Sequence, residues 1–217
     1  MPLSAILPVL LWMVAGMHGS PVVHGNSGHD SSGVRASGDP PSVRMDKQVR
    51  TEYYDVTGTS WQELAHQMRV KGPGDFFGQT VYQIGYRYTS QRLGDRCWVS
   101  DAIVTLEATI ILPRWQRSNQ TSGTVPYALR RDWDLFRTRL ERHEQQHVRI
   151  AERGAQEVQQ FLTGVTGECA TMDAVVNERV RGIVAEWDDY NRHYDVRTEH
   201  GRSEGAIWPL STAVARR

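Results

Sequence analysis

The sequence predicts an α+β domain. Two stretches alternate apolar and polar residues as strands do, Thr80 to Thr89 and Cys97 to Leu112. A long stretch from Leu129 to Phe161 instead repeats its apolar residues at helical steps of three and four, and a second helical pattern runs from about Cys169 to Tyr190. Together they predict a small antiparallel or mixed sheet, a long helix and a second, C-terminal helix.

The elements follow in chain order. Leu3 to Met17 is apolar and uncharged, with the length of a secretory h-region and too short to span a bilayer. Small residues at Ala15, Gly16, Gly19 and Ser20 offer cleavage sites, so residues 1–20 are expected to be a signal peptide. Its n-region is atypical, because the first basic residue is Arg35. Residues 21–48 are rich in Gly, Ser, Pro and Asp and are expected to form a flexible linker, since they hold too few large apolar residues to offset their ordering entropy. The folded domain is expected over 49–217.

Within it, Thr51 to Val56 reads as a strand. Ser60-Trp61-Gln62-Glu63 is a capping box opening a short helix to about Val70, which Gly72-Pro73-Gly74 ends. Tyr82, Ile84, Tyr86 and Tyr88 share one face of the next strand, and Gly94-Asp95 breaks it. Ala102, Val104, Leu106, Ala108, Ile110 and Leu112 share a face of its antiparallel partner. Pro113 to Pro126 is a loop, whose Asn119-Gln120-Thr121 sequon is read as incidental. Gly164 and Gly167 close the long helix, and the tail from Asn191 shows no clear period.

Composition narrows the function. The chain has 217 residues, 25 basic and 25 acidic, hence no net charge, which argues against nucleic acid or a membrane surface as partner. The hydrophobic share of 39% and charged share of 23% are ordinary for a globular protein. The 2 cysteines exclude a disulfide-dense scaffold and a four-cysteine zinc site. No apolar run reaches the roughly 18 residues of a membrane span. An oxidising compartment and an even count predict a disulfide between Cys97 and Cys169.

One motif carries chemistry. His143-Glu144-Gln145-Gln146-His147 lies inside the long helix, with both histidines on its inward stripe. Imidazoles four residues apart stand one turn apart on the same side, so both reach a single zinc ion. Glu144 projects beside the metal and serves as general base. Zinc lowers the pKa of a bound water toward about 7, which supplies hydroxide at neutral pH. A third protein ligand is needed. Ile150 and Arg153 stand where the extended motif would place glycine and histidine, so the ligand comes from further on. Asp173, Glu178 and Glu186 in the second helix are open, as are His193, Asp195, His200 and Glu204 in the tail.

The stretch from Tyr54 to Trp208 resembles a bacterial domain-of-unknown-function family described as secreted zinc-dependent proteases. The resemblance rests on Tyr54-Asp55-Val56-Thr57-Gly58, on Cys97 with Ile103-Val104-Thr105-Leu106, and on Leu112-Pro113-Arg114-Trp115. It continues through His143, Glu144 and His147, then Cys169, and most particularly Tyr194-Asp195-Val196-Arg197-Thr198-Glu199-His200-Gly201. The family pattern carries Gln-Gly shortly after that tail, where this chain has Glu204-Gly205. The resemblance implies a zincin-like fold, a twisted sheet packed on the motif helix. It favours His200 as third ligand, with Gly201 allowing close backbone approach, and leaves Glu178 as the leading alternative. Tyr194 is placed by it either near an oxyanion or in the packing.

The expected function is therefore a secreted or periplasmic zinc metallopeptidase acting on peptide or protein substrates. The expected site is His143, His147 and His200 on zinc, with Glu144 as base. The alternatives are a non-catalytic metal- or peptide-binding envelope module that retains the site, and a zinc hydrolase of a non-peptide amide. Oligomeric state is open at this level.

Overall fold

The computed structural model describes residues 27–28, 41–117 and 125–209. The expected signal segment, most of the expected linker and the Asn119-Gln120-Thr121 sequon lie outside the described residues. The elements run β1 (Ser27–Gly28), β2 (Ser42–Val56), α1 (Trp61–Lys71), β3 (Gln79–Leu93), β4 (Arg96–Trp115), α2 (Tyr127–Thr163), β5 (Thr166–Glu168) and α3 (Met172–Thr198). The architecture is α+β, a mixed sheet with three helices among the described residues.

β3 and β4 form the antiparallel pair that their alternation predicts. The two-residue turn Gly94-Asp95 joins them, with Gly94 at φ +62°, a value glycine adopts without steric cost. β4 also pairs in parallel with the whole of β2, from Ser42↔Asp101 to Val56↔Trp115. The sheet order is β1-β3-β4-β2, and β5 pairs antiparallel with the first residues of β4.

β2 starts at Ser42, inside the stretch expected to be linker up to residue 48, and well before the expected strand start at Thr51. The reason is its place at the sheet edge. Val43 and Met45 pack against the core, but Arg44, Asp46, Gln48, Arg50 and Glu52 are exposed. So polar a strand carries little apolar signal.

α1 begins with the expected capping box. The Ser60 hydroxyl accepts from the Glu63 N–H at 3.2 Å, and Glu63 accepts from the Thr59 N–H at 2.6 Å. α2 runs 37 residues across the inner face of the sheet. Its middle is fastened to β2 by the Lys47–Glu152 ion pair at 2.7 Å. α3 packs closely on α2 at Gly154, where a Cβ would stand 3.0 Å from the Trp187 side chain. The periodicity predicts an end to α3 near Tyr190, but the helix continues to Thr198. Asn191, Tyr194 and Thr198 carry on its buried face with polar side chains, which an apolar count passes over.

Cys97 and Cys169 are disulfide-bonded, tying the start of β4 to the segment just before α3. Two core clusters flank the middle of α2. One joins Ile84, Val104 and Leu106 to Ala151, Val158, Val180 and Ile183. The other joins Leu64, Met68 and Leu112 to Trp133, Phe136, Leu140 and Trp208. His143, Glu144 and His147 occupy the seam between them.

Candidate metal centre

His143 and His147 are 3% and 8% exposed, and Glu144 between them is 4% exposed. Burial of three ionisable groups on one helix turn is costly unless each is partnered. Every one is. The Nε2 atoms of the two histidines stand 3.3 Å apart, and both meet Oδ1 of Asp195, at 3.2 Å from His143 and 2.9 Å from His147. These atoms form a nearly equilateral triangle. Ligands about 2.0–2.1 Å from a tetrahedral zinc ion would stand roughly 3.3 Å from one another.

The outer layer sets which nitrogens face inward. His143 donates its Nδ1–H to the Glu204 carboxylate at 2.9 Å, and His147 donates its Nδ1–H to Oδ1 of Asn191 at 2.7 Å. Both partners are acceptors there, so each imidazole carries its proton on Nδ1 and turns a bare Nε2 lone pair toward Asp195. Two lone pairs and a carboxylate oxygen then converge with no donor among them. Such a set calls for a proton or a cation at its centre, and its chemistry fits a divalent metal with nitrogen and oxygen ligands. His143, His147 and Asp195 form the metal-capable group found among the described residues.

The electrostatics agree. Burial is the largest influence and disfavours charge on the two imidazoles, but Asp195 and Glu144 together, with Glu204 adding at His143 and Asn191 at His147, outweigh it, so both titrate above the ordinary histidine value. Burial also works against charge on Asp195, yet the two imidazoles hold its carboxyl well below the usual carboxylate range. Glu144 is pushed up, chiefly by burial.

Glu144 faces the start of β3. Its Oε2 accepts from the Thr80 hydroxyl at 2.8 Å. Its Oε1 fills the space that a side chain at position 78 would take, since a Cβ on Gly78 would stand 2.9 Å away. Both groups line a cleft of about 740 Å³ whose walls include Phe76, Phe77, Leu140 and Trp208.

The remaining candidates are dispersed. His200 lies outside the triangle. Its side chain is 46% exposed, its Nδ1 is 3.8 Å from Asp195, and its ring stacks on Phe76 at 4.3 Å. Glu178 and His193 are exposed, Asp173 accepts from Tyr88, and Glu186 pairs with Arg179. The Tyr194 hydroxyl donates to Glu204 at 2.8 Å, on the Nδ1 side of His143 and away from the triangle. Its ring stacks on His143 at 5.0 Å. Gly201, at φ +82°, presses on the same imidazole, where a Cβ would come within 3.0 Å of Cγ.

Asn191 and Glu204 are the functional neighbours that sequence reasoning passed over or left without a role. The step of four from Asn191 to Asp195 on a continued helix is the one signal that pointed to Asn191. Glu199 and His200, at φ 50° and 53°, make the sharp exit that carries the chain from α3 back over His143.

One matched segment, residues 51–201, takes in the end of β2, the strands β3 to β5 and the three helices, together with His143, Glu144, His147, Asn191 and Asp195; Glu204 lies just beyond it. The chain belongs to the bacterial family of unknown function DUF922. In this DUF922 chain the match spans Tyr54 through the tail that carries Asp195 and His200. No curated protein and no solved structure matches the chain.

Proposed function

We propose that this DUF922 protein is a zinc-dependent hydrolase with a zincin-like arrangement, cleaving peptide bonds outside the cytoplasm. One observation carries the reading. Three acceptor atoms converge on one point beside a buried glutamate, in an open cleft. His143, His147 and Asp195 would hold the ion. Bound there, zinc would supply the Lewis acidity that makes water nucleophilic at neutral pH.

The chain's own residues do the rest. Glu144 takes the proton of the attacking water and passes it to the leaving nitrogen. Its buried setting favours that role, because a raised carboxyl pKa keeps the proton long enough to deliver it. Thr80 fixes which way the carboxylate points. Asn191 and Glu204 hold the imidazoles in the ligating tautomer. His200 stands at the cleft mouth, within reach of a substrate oxygen held near Asp195. β3 runs along the cleft from Gln79 to Tyr82, where an extended peptide can lie against it. An oxidising compartment is supported by the Cys97–Cys169 bond, and no described helix is long and apolar enough to cross a membrane.

The test is metal analysis of the purified protein together with an unbiased peptide-library digest, wild type against Glu144→Gln. Zinc at one equivalent with cleavage that the variant loses supports the reading. Zinc without cleavage of any peptide would favour a metal-binding envelope module.

A further inference from the structure

Beyond the metal site, the outer edge of β2 has a pattern of its own. β2 is the last strand of the sheet, paired with β4 on one side only among the described residues. It is 15 residues long, and most of it is exposed. Long open edges invite pairing with another strand, and charged residues on them choose which strand is accepted. The solvent face of β2 reads Arg44, Asp46, Gln48, Arg50, Glu52. Inverted about Gln48, this series is its own complement. In an antiparallel pair of two such strands, Arg44 stands opposite Glu52, Asp46 opposite Arg50, and Gln48 opposite itself.

We propose that the β2 edge is a docking surface for a second copy of this chain, joined antiparallel about Gln48 into one continuous sheet. The two-fold pairing creates four cross-strand ion pairs, each between directly opposed residues. Within one copy the same charges have only weak outlets. Arg44 and Asp46 are 3.9 Å apart, Arg50 and Glu52 are 3.1 Å apart, and all four side chains are more than half exposed. The opposite face of the strand agrees. Val49 and Tyr53 are 41% and 42% exposed, and the inverted register sets Tyr53 against Val43 and Val49 against Lys47 of the other copy. An unrelated strand would meet unmatched charge at four positions, so the edge rejects general aggregation while accepting itself. The cleft is undisturbed, because Thr80 belongs to β3, with Gly78 just before it, on the far side of β4.

The experiment is sedimentation of the purified protein over a concentration series, with three variants. Wild type is expected to dimerise in low salt and to weaken as salt rises. Arg50→Glu sets like charges opposite Asp46 twice and is expected to be monomeric. The exchange Asp46→Arg with Arg50→Asp restores the opposed pairs while breaking both pairs within the strand, and is expected to recover the dimer. Gln48→Cys is expected to form a disulfide-linked dimer on oxidation far faster than Thr51→Cys, since only position 48 faces itself. The native cysteines do not interfere, being bonded to each other. A monomeric wild type throughout the series overturns the proposal. So does a dimer that Arg50→Glu leaves intact, or equal cross-linking of the two cysteine variants, a readout that holds even where the charge variants fold poorly.

Discussion

Glu204 accepts a hydrogen bond from Nδ1 of His143 at 2.9 Å, across 61 positions of sequence. That contact, with the Tyr194 hydroxyl donating to the same carboxylate, makes the segment after α3 the outer support of the candidate metal centre. Glu204→Ala is therefore expected to lower zinc affinity by about 10- to 100-fold, as loss of a ligand's hydrogen-bond partner does. Glu204→Gln keeps a side-chain carbonyl for the same Nδ1–H and should lose much less. Competition with a zinc-chelating dye measures both.

The third ligand separates cleanly from its neighbour. Asp195→Ala removes a corner of the triangle and should weaken zinc by more than the loss of an outer partner. His200→Ala should leave zinc affinity nearly unchanged and lower turnover instead. Strong zinc loss in His200→Ala, with Asp195→Ala neutral, would restore His200 as the ligand favoured by the family resemblance.

Glu144→Gln is nearly isosteric and can still accept from Thr80. It should bind zinc as the wild type does and cleave about 10²- to 10⁴-fold more slowly, the contribution of a positioned general base. Loss of bound zinc in that variant would show that Glu144 acts as a ligand rather than a base.

The disulfide closes a loop between residues 72 apart, which corresponds to about 4 kcal/mol of restricted unfolded-state entropy. Cys97→Ser with Cys169→Ser should lower the midpoint of denaturant unfolding accordingly. Unreduced protein should give no alkylated thiol. Two reactive thiols in that sample would remove the link.

Metal-free protein should lose stability as pH rises through neutrality. His143 and His147 titrate above their unfolded value, because Asp195 and the other partners around them together outweigh burial. Their contribution is full below the unfolded pKa of about 6.5 and is lost as pH climbs through the raised folded pKa. Asp195 acts in the opposite sense, contributing above about pH 4 and losing that contribution in stronger acid. Zinc needs the same imidazoles deprotonated, so the rise in Tm on adding zinc should be larger at pH 8 than at pH 6. A zinc-induced rise equal at both values would sink the linkage.

How much was legible in the sequence depended on the physical kind of signal. The apolar period of α2, the alternation of β3 and β4, the Ser60 capping box and the cysteine pairing are local or counted properties, so they could be read from the chain. The spacing of His143 and His147 likewise put both imidazoles on one helix face before any fold was known. β2 was partly missed because an edge strand needs no apolar outer face, and the end of α3 because Asn191, Tyr194 and Thr198 bury polar atoms. Which tail residue completes the triangle could not be read at all. His193, Asp195, His200 and Glu204 were all open by chemistry, and only the family resemblance favoured His200. The choice was made by a helix that runs eight residues past its apolar pattern and by an exit through Glu199 and His200 at positive φ. Sequence alone determined that two histidines with the spacing of metal ligands share the inward face of a helix. Only the tertiary structure decided that Asp195 turns inward, His200 stays at the cleft mouth and Glu204 supports His143, because those positions depend on how two distant segments pack, and packing is a property of the whole chain.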